Sequence, residues 1–396
     1  MAADDRPNQP ARQPYLASRL QGLGTTVFAE MSALAERTGS INLGQGFPDR
    51  DGPAEVADAA IEAIRHGRNQ YPPGPGILEL RQAISAHQKR FYGLDFDVDT
   101  EVLVTAGATE AITAAIIALC ETGDEVVVFE PFYDSYAAAA AMAGAQLKVV
   151  PLGPPGWTFD PDRLTSAVGP RTRLILLNSP HNPTGKVFGP DELEIVAGVC
   201  RERDLVAVTD EVYEHLIFAG RHVPLCSLPG MAERTVTISS AGKTFAFTGW
   251  KVGWACGPSS LVAAVRTVKQ FLTYVNGAPF QPAVATGLGL PDEYFESAAA
   301  TLGGGRDRLC SGLERAGFTV YWPQATYFVI TDVAGLGWSD GAAFCRDLPE
   351  RCGVVAVPAA AFHLDPRLPR SLVRFAFCKQ PDILDEAVRR LESLGQ

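Results

Sequence analysis

Lys243 sits between Ser240 and Lys251 in a stretch, 237–257, otherwise made largely of small, flexible and aromatic residues. A lysine amine is a poor nucleophile at its ordinary pKa. Near a second cation and partly out of water, it can form a Schiff base with a carbonyl compound. Four other places carry residues of complementary chemistry. Asp210 closes the apolar run 205–209, where a carboxylate is costly unless paired, and Tyr213 is close enough in sequence to reach the same ligand. Asn182 lies in Asn-Ser-Pro-His-Asn-Pro-Thr-Gly at 178–185, where two X–Pro steps fix the backbone path. Arg374 interrupts an apolar run at 372–378; an arginine there needs an anion, and a planar carboxylate is its best geometric match. Thr-Ala-Gly-Ala-Thr at 105–109 joins a strand to a helix, so its free amides suit a phosphate.

Each piece alone has a plainer reading as a surface lysine pair, a helix N-cap, a turn or an internal ion pair. Taken together they fit one ligand, an aldehyde that carries a phosphate and a ring nitrogen. Ala108, Thr109, Ser240 and Lys251 would take the phosphate, and Lys243 the aldehyde. Asp210 would keep the ring nitrogen protonated, which makes the ring an electron sink. His181 and His215 are candidate general bases by type, but neither has an orienting carboxylate at close spacing.

The elements that must position these residues alternate. Strands are expected at 101–104, 125–129, 147–150, 174–177, 205–209, 235–239 and 252–256, with helices such as 110–120 and 191–203 between them. Strands that are apolar on both faces and alternate with helices indicate an α/β domain with a mostly parallel seven-stranded sheet sandwiched by helices. Its ligands bind at the carboxyl ends of the strands. After helices near 261–274 and from 281, the pattern changes to a smaller α+β unit. The expected layout is a flexible arm at 1–20, a segment at 21–48 packing with the small domain, a large domain at 49–290 and a small domain at 291–396.

The net charge of -11 argues against nucleic acid or an anionic membrane as partner. The apolar runs stop short of a membrane span. Eight cysteines are scattered without Cys-x-x-Cys pairs, which fits reduced thiols in a cytoplasmic protein and no metal site.

The joint pattern resembles the fold-type-I pyridoxal phosphate family, class I/II aminotransferases of the kynurenine/methionine branch. The resemblance rests on Asn-Leu-Gly-Gln-Gly-Phe-Pro-Asp at 42–49, Asn-Gln-Tyr at 69–71, Glu-Pro-Phe-Tyr-Asp-Ser-Tyr at 130–136, Pro-His-Asn-Pro-Thr-Gly-Lys-Val-Phe at 180–188, Asp-Glu-Val-Tyr-Glu-His at 210–215, and Lys-Thr-Phe-x-x-Thr-Gly-Trp-Lys-x-Gly-Trp at 243–254. It implies that Lys243 holds the cofactor and then moves a proton as general base and acid. It further implies that Asn182 and Tyr213 bond the phenolic oxygen, and that Tyr133 stacks on the ring. Arg374, Asn182 and the Gly46 backbone would clamp the substrate carboxylate. Tyr71 would reach the phosphate in a neighbouring subunit, which implies a homodimer acting on amino acids and 2-oxo acids.

One departure bears on the donor. Kynurenine aminotransferases have Phe-His where this chain has Asn276-Gly277, which should enlarge the side-chain pocket. The segments 69–76 and 277–284 are similar to those of actinobacterial N-succinyldiaminopimelate aminotransferases. The expectation is a long polar donor such as N-succinyl-LL-diaminopimelate with 2-oxoglutarate as acceptor. Kynurenine, methionine or glutamine transamination and carbon–sulfur β-lyase chemistry are the alternatives. A transcription regulator of this fold would need a winged-helix domain, for which the arm before Leu20 has no room.

Overall fold

The computed structural model describes residues 15–21, 23–24, 26–364 and 370–395. Most of the expected arm, 1–14, lies outside them; its described end forms a turn, Ser18–Leu20, against the helix Ser135–Ala143. The helix Val27–Thr38 begins where the Thr26 side chain accepts the Ala29 amide and ends at Gly39 in left-handed backbone. Those two caps take up polar groups that a helix end leaves unpaired. The short strand β1 (Ile41–Asn42) follows.

The central sheet contains β2 (Val102–Thr105), β3 (Glu125–Glu130), β4 (Gln146–Pro151), β5 (Thr172–Asn178), β6 (Val206–Asp210), β7 (Thr235–Ser240) and β8 (Gly253–Cys256), in the order β2-β8-β7-β6-β5-β3-β4. Every pairing is parallel except those of β8, which is antiparallel to both β2 and β7. This is the expected α/β sheet. Successive side chains of a strand face opposite ways. Val126 and Val128 therefore enter an apolar layer with Ile112 and Val262. Val127 and Phe129 enter the opposite layer, which is continuous with C-terminal residues such as Val329, Val355 and Phe375. Burial on both faces is why these strands read as unbroken apolar runs. The helix Gly107–Leu119 starts three residues before the expected position, because Glu110 Oε2 accepts the Ala106 amide at 2.6 Å and caps its first turn.

The C-terminal part of the chain carries β9 (Thr319–Tyr321), β10 (Phe328–Asp332), β11 (Val354–Val355), β12 (Val357–Pro358) and β13 (Leu372–Ala376). An antiparallel sheet runs β12-β13-β10-β9, while β11 pairs in parallel with β1. Residues 354–357 are apolar throughout and are expected from the sequence to form a single strand. Instead the chain changes sheets at Ala356, since the partners on either side of it differ. The N-terminal helix Val27–Thr38 packs on β11 and on the helix Gly341–Cys352. No helix among the described residues is long and apolar enough to cross a membrane.

Candidate active site

A cavity of about 750 Å³ opens beyond the carboxyl ends of β5, β6 and β7, within the roughly 300–1,000 Å³ range of small-molecule sites. Gly46, Ala108, Thr109, Tyr133, Asn182, Asp210, Tyr213, Ser240, Lys243, Lys251 and Arg374 all line it. Residues far apart in sequence are thus brought together by the strand ends and by the C-terminal strand that carries Arg374.

Lys243 lies in the short helix Ala241–Thr244 directly after β7. Its Nζ donates to Tyr327 Oη at 2.7 Å, and Tyr327 Oη donates to the Gly46 carbonyl at 2.6 Å. Burial brings the Lys243 pKa down to about 8; Lys251 and Arg374 push the same way, while Cys378 and Asp210 oppose them. Lys251 lowers this pKa less than burial does.

Asp210 ends β6 with its carboxylate inside the cavity. Tyr136 donates to Asp210 Oδ2 at 2.5 Å. The Val212 amide is 3.4 Å from Oδ1, too long for a strong bond, so Oδ1 is available to a ring N–H. Burial raises the Asp210 pKa to about 6, with the Tyr136 bond drawing it back; it is ionised for the most part at neutral pH. Asn178 ties the neighbouring strand ends together. Its Nδ2 donates to the Asp210 carbonyl at 2.8 Å and its Oδ1 accepts the Asn182 amide at 2.7 Å.

At the N-terminus of the helix Gly107–Leu119, Gly107 has φ +79°, and a Cβ there would lie 3.3 Å from Lys251 Nζ. A Cβ on Gly253 would lie 2.7 Å from the Gly107 carbonyl carbon. The cup therefore closes only with glycine at both positions, and it brings an ammonium over free helix amides. Opposite it, Arg374 is 1% exposed and lies on the ring faces of Phe328, Phe362 and Phe28, at 3.9, 4.7 and 5.1 Å. Its Nη1 donates to Asn182 Oδ1 at 3.1 Å and its Nη2 to the Gly44 carbonyl at 2.9 Å, while Nε is buried without a partner. The guanidinium thus meets Gly44; the Gly46 carbonyl is taken by Tyr327.

The sequence matches the family described as Aminotransferase class I and II over residues 38–391. The chain belongs to this family. It is 54% identical over 391 residues to a Mycobacterium tuberculosis protein named Probable N-succinyldiaminopimelate aminotransferase DapC, covering 96% of this chain and 98% of that one. It is 39% identical to the methionine aminotransferase of Escherichia coli, covering 95% and 98% of the two chains. A solved structure of N-succinyldiaminopimelate aminotransferase from Mycobacterium tuberculosis superposes with a TM-score of 0.94 at 54% identity, covering 96% of this chain and all of that one.

Aminotransferases of this family use pyridoxal phosphate, and the residues of this aminotransferase fit it. The glycine-built cup with its ammonium matches a phosphate. A depressed lysine matches an aldehyde, and a buried carboxylate with one free oxygen matches a ring N–H. Tyr71 is 81% exposed, away from this chain's own cavity, and its ring packs edge-on against Tyr274 at 5.4 Å. Asn276 does not line the cavity either. Its Nδ2 donates to the Thr105 and Lys251 carbonyls at 3.0 and 3.2 Å, so within this chain it braces the backbone on either side of the Gly107 cup.

The two histidines take no part. His181 is bonded to Thr184 Oγ1 at 2.8 Å, and burial drives its pKa down to about 3. His215 is bonded Nε2 to Nε2 with His87 at 2.7 Å. His87, Glu214 and His215 do bring ligand atoms within 4.8 Å of one another. Two imidazole ligands on one tetrahedral ion with bonds of about 2.0 Å stand about 3.3 Å apart, so the closer 2.7 Å spacing is that of a hydrogen bond. The eight cysteines are unpaired, and seven are buried. The residue-by-residue reading missed Tyr136, Asn178 and Tyr327. Tyr136 carried a faint signal, standing one helical turn beyond Tyr133 in an otherwise alanine-rich segment.

Proposed function

We propose that this aminotransferase transfers the amino group between N-succinyl-LL-diaminopimelate and glutamate/2-oxoglutarate. The observation that carries the reading is the 54% identity over nearly the whole chain to the relative of that name. The cavity of about 750 Å³ has room for cofactor and a long donor together. When bound, pyridoxal phosphate supplies an aldehyde and a protonated ring that accepts electrons.

The chain's own groups do the rest. Lys251, Ser240 and the Ala108 and Thr109 amides hold the phosphate. Asn182 and Tyr213 hold the phenolic oxygen, Tyr133 covers the ring, and Asp210 Oδ1 keeps the ring nitrogen protonated. Arg374 binds the donor's α-carboxylate and fixes which Cα–H bond faces Lys243. Lys243 Nζ then takes the α-proton, a role suited to an amine whose pKa has fallen to about 8.

Steady-state rates with 2-oxoglutarate test the donor. N-succinyl-LL-diaminopimelate is expected to exceed methionine, glutamine and kynurenine in kcat/KM by at least roughly tenfold, the discrimination that one or two side-chain contacts provide. A large advantage for kynurenine or methionine would overturn the assignment in favour of the other branch members.

The reading includes a homodimer. Tyr71, Phe271 and Tyr274 are 81%, 82% and 53% exposed, an apolar aromatic group of the kind that interfaces cover. In that assembly Tyr71 reaches the partner's phosphate site. Light scattering should give twice the 42.3 kDa chain mass; a monomer at micromolar concentration rejects it. A cytoplasmic setting accords with the unpaired cysteines.

A further inference from the structure

Tyr327 has no part in the chemistry just described, yet its hydroxyl touches the reacting nitrogen. The residue is 1% exposed and stands just before β10. Its oxygen lies between Lys243 Nζ at 2.7 Å and the Gly46 carbonyl oxygen at 2.6 Å. A phenolic hydroxyl has one hydrogen to give and lone pairs to accept with, whereas a carbonyl only accepts. The Gly46 carbonyl at 2.6 Å is the nearer taker of the hydroxyl hydrogen and the Tyr213 hydroxyl is a second one, so the hydrogen points away from the amine and Tyr327 faces Lys243 as an acceptor.

That direction has a chemical consequence. A neutral amine has two N–H groups and one lone pair, and only the lone pair attacks an aldehyde or takes a proton. A hydroxyl free to donate would occupy that lone pair. We propose that Tyr327 is a positioning residue for Lys243: locked by Gly46 as an acceptor, it takes one N–H of the amine and leaves the lone pair directed at the cavity.

The surroundings keep the lock in place. The Tyr327 ring meets Tyr213 edge-on at 5.4 Å and Phe328 at 4.7 Å. Burial and the neighbouring Tyr213 hold the phenol pKa well above its usual 10, so it stays protonated and keeps donating to Gly46. A Cβ on Gly46 would come within 2.3 Å of the Phe328 ring and 3.0 Å of the Tyr327 ring, so only glycine brings that carbonyl so close. The proposal rests on the reading of Lys243 as the cofactor-bearing lysine.

The test is Tyr327→Phe in the full chain, freed of cofactor and then mixed with pyridoxal phosphate over a range of pH, with covalent capture followed by absorbance. In the wild type, capture should rise with a midpoint near 8, the value to which burial brings Lys243. The other charged groups facing that amine, namely Asp210, Lys251, Arg374 and Cys378, are untouched by the substitution, while Tyr213 loses its hydrogen bond with the Tyr327 hydroxyl. Losing an acceptor that favours the ammonium moves the midpoint down by about half to one pH unit. Losing the orientation lowers the plateau rate by roughly tenfold. In the loaded enzyme, kcat falls by a similar factor while KM for the donor changes less than about twofold. An unshifted midpoint overturns the proposal, whether capture is unaffected or uniformly slower with a lower thermal midpoint. Lys243→Ala run alongside separates the two readings: normal capture by that variant rejects the role of Lys243 itself.

Discussion

Lys243→Ala should end covalent attachment of pyridoxal phosphate and lower kcat by roughly 10⁴-fold, the scale on which a positioned general base and nucleophile act together. An unshifted lysine of pKa 10.5 leaves on the order of 0.03% of its amine unprotonated at pH 7. With the pKa brought to about 8 by burial, about a tenth is unprotonated at pH 7. The sign follows: attachment accelerates as pH rises through about 8 and then levels off, instead of climbing to pH 10. Mass spectrometry after borohydride reduction checks the attachment. A linked cofactor on the alanine variant, or turnover within tenfold of the wild type, would place the chemistry elsewhere.

The second large effect is expected at Arg374. This guanidinium is walled in by three phenylalanine rings, and its hydrogen bonds go to neutral oxygens on Asn182 and Gly44. No carboxylate pairs with it among the described residues. Burial lowers its pKa only to about 10, so it stays cationic through the physiological range. A buried, uncompensated cation is costly on its own, and a substrate carboxylate supplies the missing charge. Arg374→Leu should lower kcat/KM for amino acid donors by about 10²–10⁴-fold, corresponding to the roughly 3–5 kcal/mol attached to breaking a buried charge pair. Arg374→Lys keeps the charge and loses the planar fork, so it should recover only part of that. An amine donor without a carboxylate distinguishes recognition from damage, since its slow reaction should be nearly unchanged. Equal losses for both donor types would show that Arg374 supports the fold rather than the substrate.

The parts of this site that can be read in the sequence are those whose signal is local. Asp210 betrays itself by ending an apolar strand, Arg374 by interrupting one, and the phosphate cup by a glycine between strand and helix. The strands themselves are legible because both faces are buried, so Val126 to Phe129 carry no polar residue. What stays hidden depends on distant partners. The acceptor that fixes Tyr327 is Gly46, and the donor that holds Asp210 is Tyr136 from another layer. No spacing rule links such pairs. The long helix Asp292–Arg315 begins earlier than its apolar pattern suggests, because its first turn carries Asp292 and Glu293 and announces itself by charge at the N-terminus. The bonds of the Asn276 amide to the Thr105 and Lys251 carbonyls are equally hidden, since nothing at 276 in the sequence points to them.

The pairing of β1 with β11 joins Ile41 to Val354 and Asn42 to Val355. Val27, Phe28 and Gly46, on the same N-terminal segment, form one wall of the cavity. During synthesis this segment leaves the ribosome well before the strand that holds it. A nascent chain stalled before Val354 would carry Lys243, Asp210 and the phosphate cup with nothing to seat the wall in front of them. Loading with pyridoxal phosphate in its final form therefore waits until the chain has been made past β11.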